Sequence, residues 1–249
     1  MLQTYDWPSM SKEAGGRFAT TRWSLVISTR NAGSPDADAA LAALCQAYWY
    51  PVYAFIRRSG KTEDAARDLT QGFFARMLEK NYLHHADRER GRFRTFLLTS
   101  VKHFLANEYK ADMALKRGGA VVHLSLETDD EERRFRYEPP DVESPDRVYE
   151  RRWAHAVLDQ AMVRLAAHYT ESGRQEWFSR LRPTIAGEDG ATQAELAALL
   201  GTTDAALRVA IHRLRKRYAD TLREVIADSI DDPSAVEDEL RHLTAAVSR

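Results

Sequence analysis

The chain has 249 residues, 44% of them hydrophobic, with 12 Gly, 8 Pro and one cysteine, Cys45. That is material for one sizeable core or two small ones; a lone cysteine excludes an intrachain disulfide framework, and no apolar run approaches the roughly 20 residues that span a bilayer. A formal net charge of −1 excludes a uniformly basic protein, so any nucleic-acid partner must be met by local charge.

Residues 1–16 lack the apolar core of a secretory leader and are expected to be disordered or loosely attached. With the single thiol, this points to a reducing cytoplasm. Arg17–Arg30 is expected to form a short docking helix around Phe18, Trp23 and Val26. Ala39–Arg58 carries Leu41, Leu44, Cys45, Tyr48, Val52, Phe55 and Ile56 on one stripe, the signature of an amphipathic helix. Ser59-Gly60 breaks it. Thr62–Lys80 predicts a second helix, with Thr62 as its cap and Ala66, Leu69, Phe73, Met77 and Leu78 inward. After a loop at 81–91, Phe93–Lys110 predicts a third, with Phe93, Phe96, Leu97, Val101, Phe104 and Leu105 inward.

From Lys116 the composition changes: Gly118-Gly119, a charge-dense run and Pro139-Pro140 predict an acidic flexible linker over 116–147. Helical periodicity resumes near Asp146 with Trp153, Val157 and Leu165, then a shorter helix around Trp177 and Leu181. Thr192–Leu222 reads as a helix-turn-helix. Thr192 and Glu195 have capping-box spacing. Leu196, Leu199 and Leu200 share a face, Gly201 ends the helix, and Thr203 or Asp204 caps the next. That second helix places Leu207, Ile211, Leu214 and Tyr218 inward and Arg208, His212, Arg213, Arg215, Lys216 and Arg217 on its other faces. A basic helix behind a Gly-containing turn is the geometry that enters a DNA major groove. Thr203, Asp204, Arg208, His212 and Arg213 stand near its base-reading end; Arg215, Lys216 and Arg217 are better placed for phosphates. The tail, 229–249, opens on an Asp231-Asp232-Pro233 turn and adds a helix, Val236–Val247.

The expected fold class is therefore all-α: residues 17–115 and 148–228 as two small helical domains joined by the acidic linker. Charge follows the same division. Arg88–Arg117 and Arg208–Arg223 each carry +5, and Glu127–Asp146 between them carries −6. Two basic helical blocks are a better nucleic-acid footprint than the net charge implies.

Ala47–Leu78 runs a Tyr/Phe-rich helix, a Gly break and then Asp68-Leu69-x-Gln71-x-x-Phe74, followed by an aromatic helix with a basic end at Phe93–Lys110. With the helix-turn-helix downstream, this order resembles the sigma factors of bacterial RNA polymerase. The closest type is the compact extracytoplasmic-function group, which keeps regions 2 and 4. The resemblance covers roughly residues 39–112 and 150–225. It implies partners, core RNA polymerase and promoter DNA, with the helix-turn-helix on a −35 element and region 2 on a melted −10 element. It implies polymerase contact at Arg67, Asp68, Gln71 and Phe74. It also implies region 2 DNA contact on the polar face and its upstream loop: Arg90, Arg92, Arg94, Lys102, His103, Asn107 and Lys110, with Phe93, Phe96 and Phe104 in the core.

One position set departs from the family. Where an acidic D-A-E-D segment is usual, this chain has Ala65-Ala66-Arg67-Asp68. Lineages with a depleted acidic face are controlled by serine/threonine kinases, so Thr62 and Thr70 become candidate phosphorylation sites; their bland roles are a helix cap and a solvent-facing helix residue. Two other readings fit the same motifs: a helix-turn-helix regulator acting without core polymerase, and a signalling-controlled helical adaptor. No catalytic motif, phosphate loop or cofactor motif occurs. His84-His85-x-Asp87 lacks the spacing of a metal site. The expected protein is not an enzyme and carries no metal, cofactor or membrane segment.

Overall fold

In a computed structural model of the chain, the described residues are 35–78, 92–115, 135, 144–186, 191–230 and 232–248. They are overwhelmingly helical, and none of them lies in a strand. Among the described residues no helix is long and apolar enough to cross a membrane. The expectations for residues 1–16, the Arg17–Arg30 helix, the 81–91 loop with Arg90 and the histidine pair, and most of the linker lie outside the described residues.

The helices are α1 Pro35–Arg58, α2 Glu63–Leu78, α3 Phe93–Leu115, α4 Pro145–Glu171, α5 Gln175–Leu181, α6 Pro183–Ala186, α7 Gln193–Leu199, α8 Asp204–Asp228 and α9 Val236–Val247. A 3₁₀ turn, Pro233–Ala235, precedes α9. The described residues fall into two compact units: one takes those up to Val157 together with those from Val225 on, the other Leu158–Glu224. The divisions fall within α4 and α8, at Val157/Leu158 and Glu224/Val225. Val148–Val157 and the C-terminal helix therefore group with the three N-terminal helices.

In the larger unit the apolar stripes meet as aromatic pairs. Cys45, Tyr48, Val52, Phe55 and Ile56 of α1 are buried, as are Ala66, Phe73 and Met77 of α2 and Phe93, Phe96, Leu97, Val101 and Phe104 of α3. Leu69 and Leu105 are half-buried, and the side chains of Leu41 and Leu44 lie outside those described. Tyr48 meets Phe93 edge-on at 4.9 Å and Phe73 meets Phe104 at 5.6 Å, the geometry that ring quadrupoles favour. Pro51 removes one N–H from the α1 ladder, yet the helix runs on to Arg58. Burial pushes the Cys45 thiol up to about 12, so it is an inert core group. Phe135, a linker residue by sequence, lies under the guanidinium groups of Arg57 and Arg58 at 4.7 and 5.5 Å.

The smaller unit closes on Leu165, Phe178, Leu181, Leu196, Ala197, Leu207, Ile211 and Leu214. Thr192 and Glu195 cap α7 reciprocally. The Thr192 N–H donates to the Glu195 carboxylate at 2.8 Å, and the Glu195 N–H to the Thr192 hydroxyl at 3.4 Å. Gly201 ends the helix at φ +59°, a left-handed backbone that a Cβ disfavours. One expectation fails here: Leu199 points to solvent, while Leu196 is buried and Leu200 half-buried. The core closes instead on Leu196 and Ala197, with Leu200 packed against it.

Candidate nucleic-acid interface

The turn between α7 and α8 leaves the cations of α8 at the surface. Thr203 caps α8, its hydroxyl accepting from the Ala206 N–H at 3.3 Å. Asp204 opens the helix and is exposed, where a carboxylate suits the positive helix end. Buried Leu207, Ile211 and Leu214 fix the rotation of α8. That leaves Arg208, His212, Arg213, Arg215, Lys216 and Arg217 exposed on its remaining surface. Arg208 and His212 are four apart and so share a face, as do Arg213 and Arg217. Val209, 48% exposed, sits one turn before Arg213. A bare apolar group among cations was not singled out from the sequence, because it interrupts no periodic pattern.

Two of the later cations are braced within their own unit. Arg215 donates to the Thr184 carbonyl at 3.0 Å, and Arg217 meets the His168 ring nitrogen Nε2 at 3.0 Å. Both remain exposed, so these contacts pre-orient the guanidinium groups instead of hiding them. Burial and the nearby Asp159 push the Tyr218 phenol up to about 12; it stays neutral against the core.

In the larger unit, the polar face assigned from sequence divides in two. Lys102, His103, Asn107 and Lys110 of α3 are exposed, with Lys102 paired to Asp146. Arg94 is not on that face. It is 5% exposed, and its Nε and NH2 groups donate to the two carboxylate oxygens of Glu239 at 2.9 and 3.2 Å. NH1 reaches Glu150 at 2.5 Å, and the guanidinium lies 4.6 Å over the Trp153 ring. The half-buried Arg92 joins Glu239 at 3.1 Å, and His242 meets Glu150 at 2.8 Å. Desolvation opposes the charge on Arg94, but the hydrogen bonds and fields of Glu239 and Glu150 outweigh it and hold the guanidinium above its ordinary range.

This network was missed from sequence. Its signal was there: Glu239 stands three residues after Val236 and four before Leu243, a carboxylate on the apolar stripe of an otherwise amphipathic helix. Such a residue is buried only when paired.

Two further assignments are corrected. Phe74, expected at a polymerase surface, is 3% exposed and stacks on Trp49 at 5.2 Å and 20°. Thr70, expected at solvent and as a phosphorylation site, is fully buried, and its hydroxyl donates to the Ala66 carbonyl at 2.7 Å. A kinase has no access to it in the folded chain. Thr62 is exposed, its hydroxyl accepting from the Ala65 N–H at 3.4 Å. Arg67 is half-buried and held by Glu63 at 3.1 Å, with Asp64 at 3.8 Å. Its charge is therefore partly compensated within α2. Asp68 is half-buried and Gln71 exposed. Among the described residues no cluster of His, Cys, Asp or Glu could hold a metal ion. Compared with protein-family models, with curated proteins and with solved structures, the chain matches none.

Proposed function

We propose that this chain is an alternative sigma factor, which binds core RNA polymerase and directs it to promoters without itself making or breaking bonds. The observation that carries the reading is the helix-turn-helix. A reciprocally capped α7, a left-handed Gly201 and a Thr203-capped α8 present Arg208, His212 and Arg213 outward over a closed apolar core. In this reading α8 lies in the major groove of a −35 element. Arg208 and Arg213 read base edges, the Val209 methyls offer apolar contact to a thymine methyl, and Arg215, Lys216 and Arg217 hold phosphates.

The larger unit supplies the region 2 role. Its exposed α3 residues Lys102, His103, Asn107 and Lys110 meet the backbone and bases of a melted strand, as cationic grooves do for single strands. The α2 surface, with Arg67, Asp68 and Gln71, faces polymerase. Phosphate on Thr62, at the helix start, restores negative charge where Ala65 and Arg67 removed it. A serine/threonine kinase is then the regulating partner, and Thr62 its site.

The test is a duplex-binding series. Losing a base-reading arginine costs about 1–3 kcal/mol and relaxes specificity; losing a phosphate contact weakens all sequences alike and lowers the salt slope. If Arg208→Ala and Arg213→Ala leave promoter binding unchanged, α8 is not a recognition helix. If duplex binding holds but core polymerase is not retained, the chain is a regulator acting on its own.

A further inference from the structure

The C-terminal helix puts a carboxylate where a nucleic-acid phosphate could sit. Glu239 is 1% exposed and grips Arg94 with both oxygens, while one of them also takes Arg92. A fork of two parallel N–H···O bonds is how arginine holds phosphate as well as carboxylate. The pair Arg92–Arg94 straddles the start of α3, the helix whose exposed face carries Lys102 and Lys110.

The C-terminal helix α9 is held at few fully buried positions. Of its 12 residues only Glu239 and Leu243 are buried. Its entry is fixed by a backbone bond from the Phe93 N–H to the Ser229 carbonyl at 3.2 Å and by a bridge between Arg92 and Ile230. The fully buried anchors of the helix body are thus one apolar side chain, Leu243, and one charged one, Glu239, beside the His242–Glu150 contact and the half-buried Val236, Leu240 and Ala246. A buried ion pair is a poor source of stability compared with an apolar replacement, but it is an exchangeable one, because another anion can take the same cations.

We propose that α9 is an autoinhibitory clasp: docked, it holds Glu239 on Arg92 and Arg94, and released, it gives these cations to a nucleic-acid backbone. The inference rests on the nucleic-acid reading of α3, but it adds a control that neither α8 nor the Thr62 site provides.

The experiment uses the full chain in three forms: wild type, Glu239→Gln to remove the charged anchor, and Leu243→Asp to remove the apolar one. Binding to a mixed-sequence single-stranded DNA is measured across salt concentrations, and hydrogen exchange of amides 236–247 is followed on the same samples. Both variants should exchange faster over α9 and bind the strand about tenfold more tightly, the scale of one charged hydrogen bond. The salt slope should steepen by about 0.7 to 1.4, for one to two added phosphate contacts on a single strand. Adding Arg92→Gln should remove a large part of that gain. Faster exchange without tighter binding overturns the clasp. Unchanged exchange in both variants, or loss of the unit's cooperative unfolding, also overturns it, because α9 is then an integral part of the fold. Duplex binding through Arg208 and Arg213 is read alongside. If it persists while the variants show no gain, the clasp falls and the proposed function stands. If no form binds duplex or strand, the proposed function itself falls.

Discussion

Arg94→Met separates a structural arginine from a DNA-binding one. Methionine keeps an unbranched apolar stem and loses the charged head. The change leaves Glu239, almost fully buried, with Arg92 alone at 3.1 Å, and leaves Glu150 with His242 at 2.8 Å. Removing one partner of a buried ion pair costs about 3–5 kcal/mol. The surviving partners and the partial exposure of Glu150 put this case at the lower end, about 3 kcal/mol. The lost cation–π contact with Trp153 is offset in part by a sulfur–aromatic one. At about 2–4 °C per kcal/mol for a chain of this size, Tm should fall by about 6–12 °C. The assay is thermal and urea unfolding of Arg94→Met, Glu239→Leu and the double variant. The double variant should recover much of the loss, because an apolar pair of similar volume replaces the ion pair without stranding a charge. If Arg94→Met unfolds within about 0.5 kcal/mol of wild type and weakens DNA binding instead, Arg94 is a surface ligand and the buried network is refuted.

Other outcomes follow from single groups. Burial, then Arg152 and Arg151, pull His155 down to about 4 from an unfolded value of 6.5. Between those pH values the unfolded chain binds a proton that the folded chain refuses, so stability rises with pH through this window and is lost on acidification. His155→Gln should remove up to about 3 kcal/mol of that acid sensitivity, read as a flatter plot of unfolding free energy against pH. Leu207→Ala empties a fully buried position in the helix-turn-helix core and should cost about 2–5 kcal/mol, with duplex binding lost in parallel; unchanged thermal unfolding would contradict the packing described. A kinase acting on the folded chain should modify Thr62 and spare Thr70, as peptide mapping would show. Thr62→Glu should tighten core-polymerase binding in a pull-down titration, whereas Thr70→Glu should lower Tm by burying a charge beside the Ala66 carbonyl.

The fold was legible in the sequence wherever one periodic stripe decides burial. The helices α1, α2, α3 and α8, the capping box at Thr192, the Gly201 stop and the Val236–Val247 helix all rest on local rules acting within a few residues and appear as read, with Leu69, Leu105 and Tyr218 only half-buried on their stripes. What was not legible depended on partners far along the chain. Arg94 looks like a surface cation until Glu239, 145 positions away, is brought to it. Phe74 and Thr70 sit beside an apolar stripe, and only packing against Trp49 and the α2 backbone widened the buried face enough to include them. Leu199 failed the opposite way: periodicity placed it inward, but the core closes on Leu196 and Ala197 without it. The candidate cations of α8 were readable because, among the described residues, nothing distant covers them. Those at the start of α3 were not, because a carboxylate from the far end of the chain does.

The central claim is tested most directly by run-off transcription. Core RNA polymerase is supplied with genomic promoter fragments, with and without this chain, and with the Arg208→Ala/Arg213→Ala form. The account predicts transcripts that appear only with the intact chain, start at defined positions and are lost with the double variant. Transcription no different from core polymerase alone, for both the unmodified chain and Thr62→Glu, would contradict it.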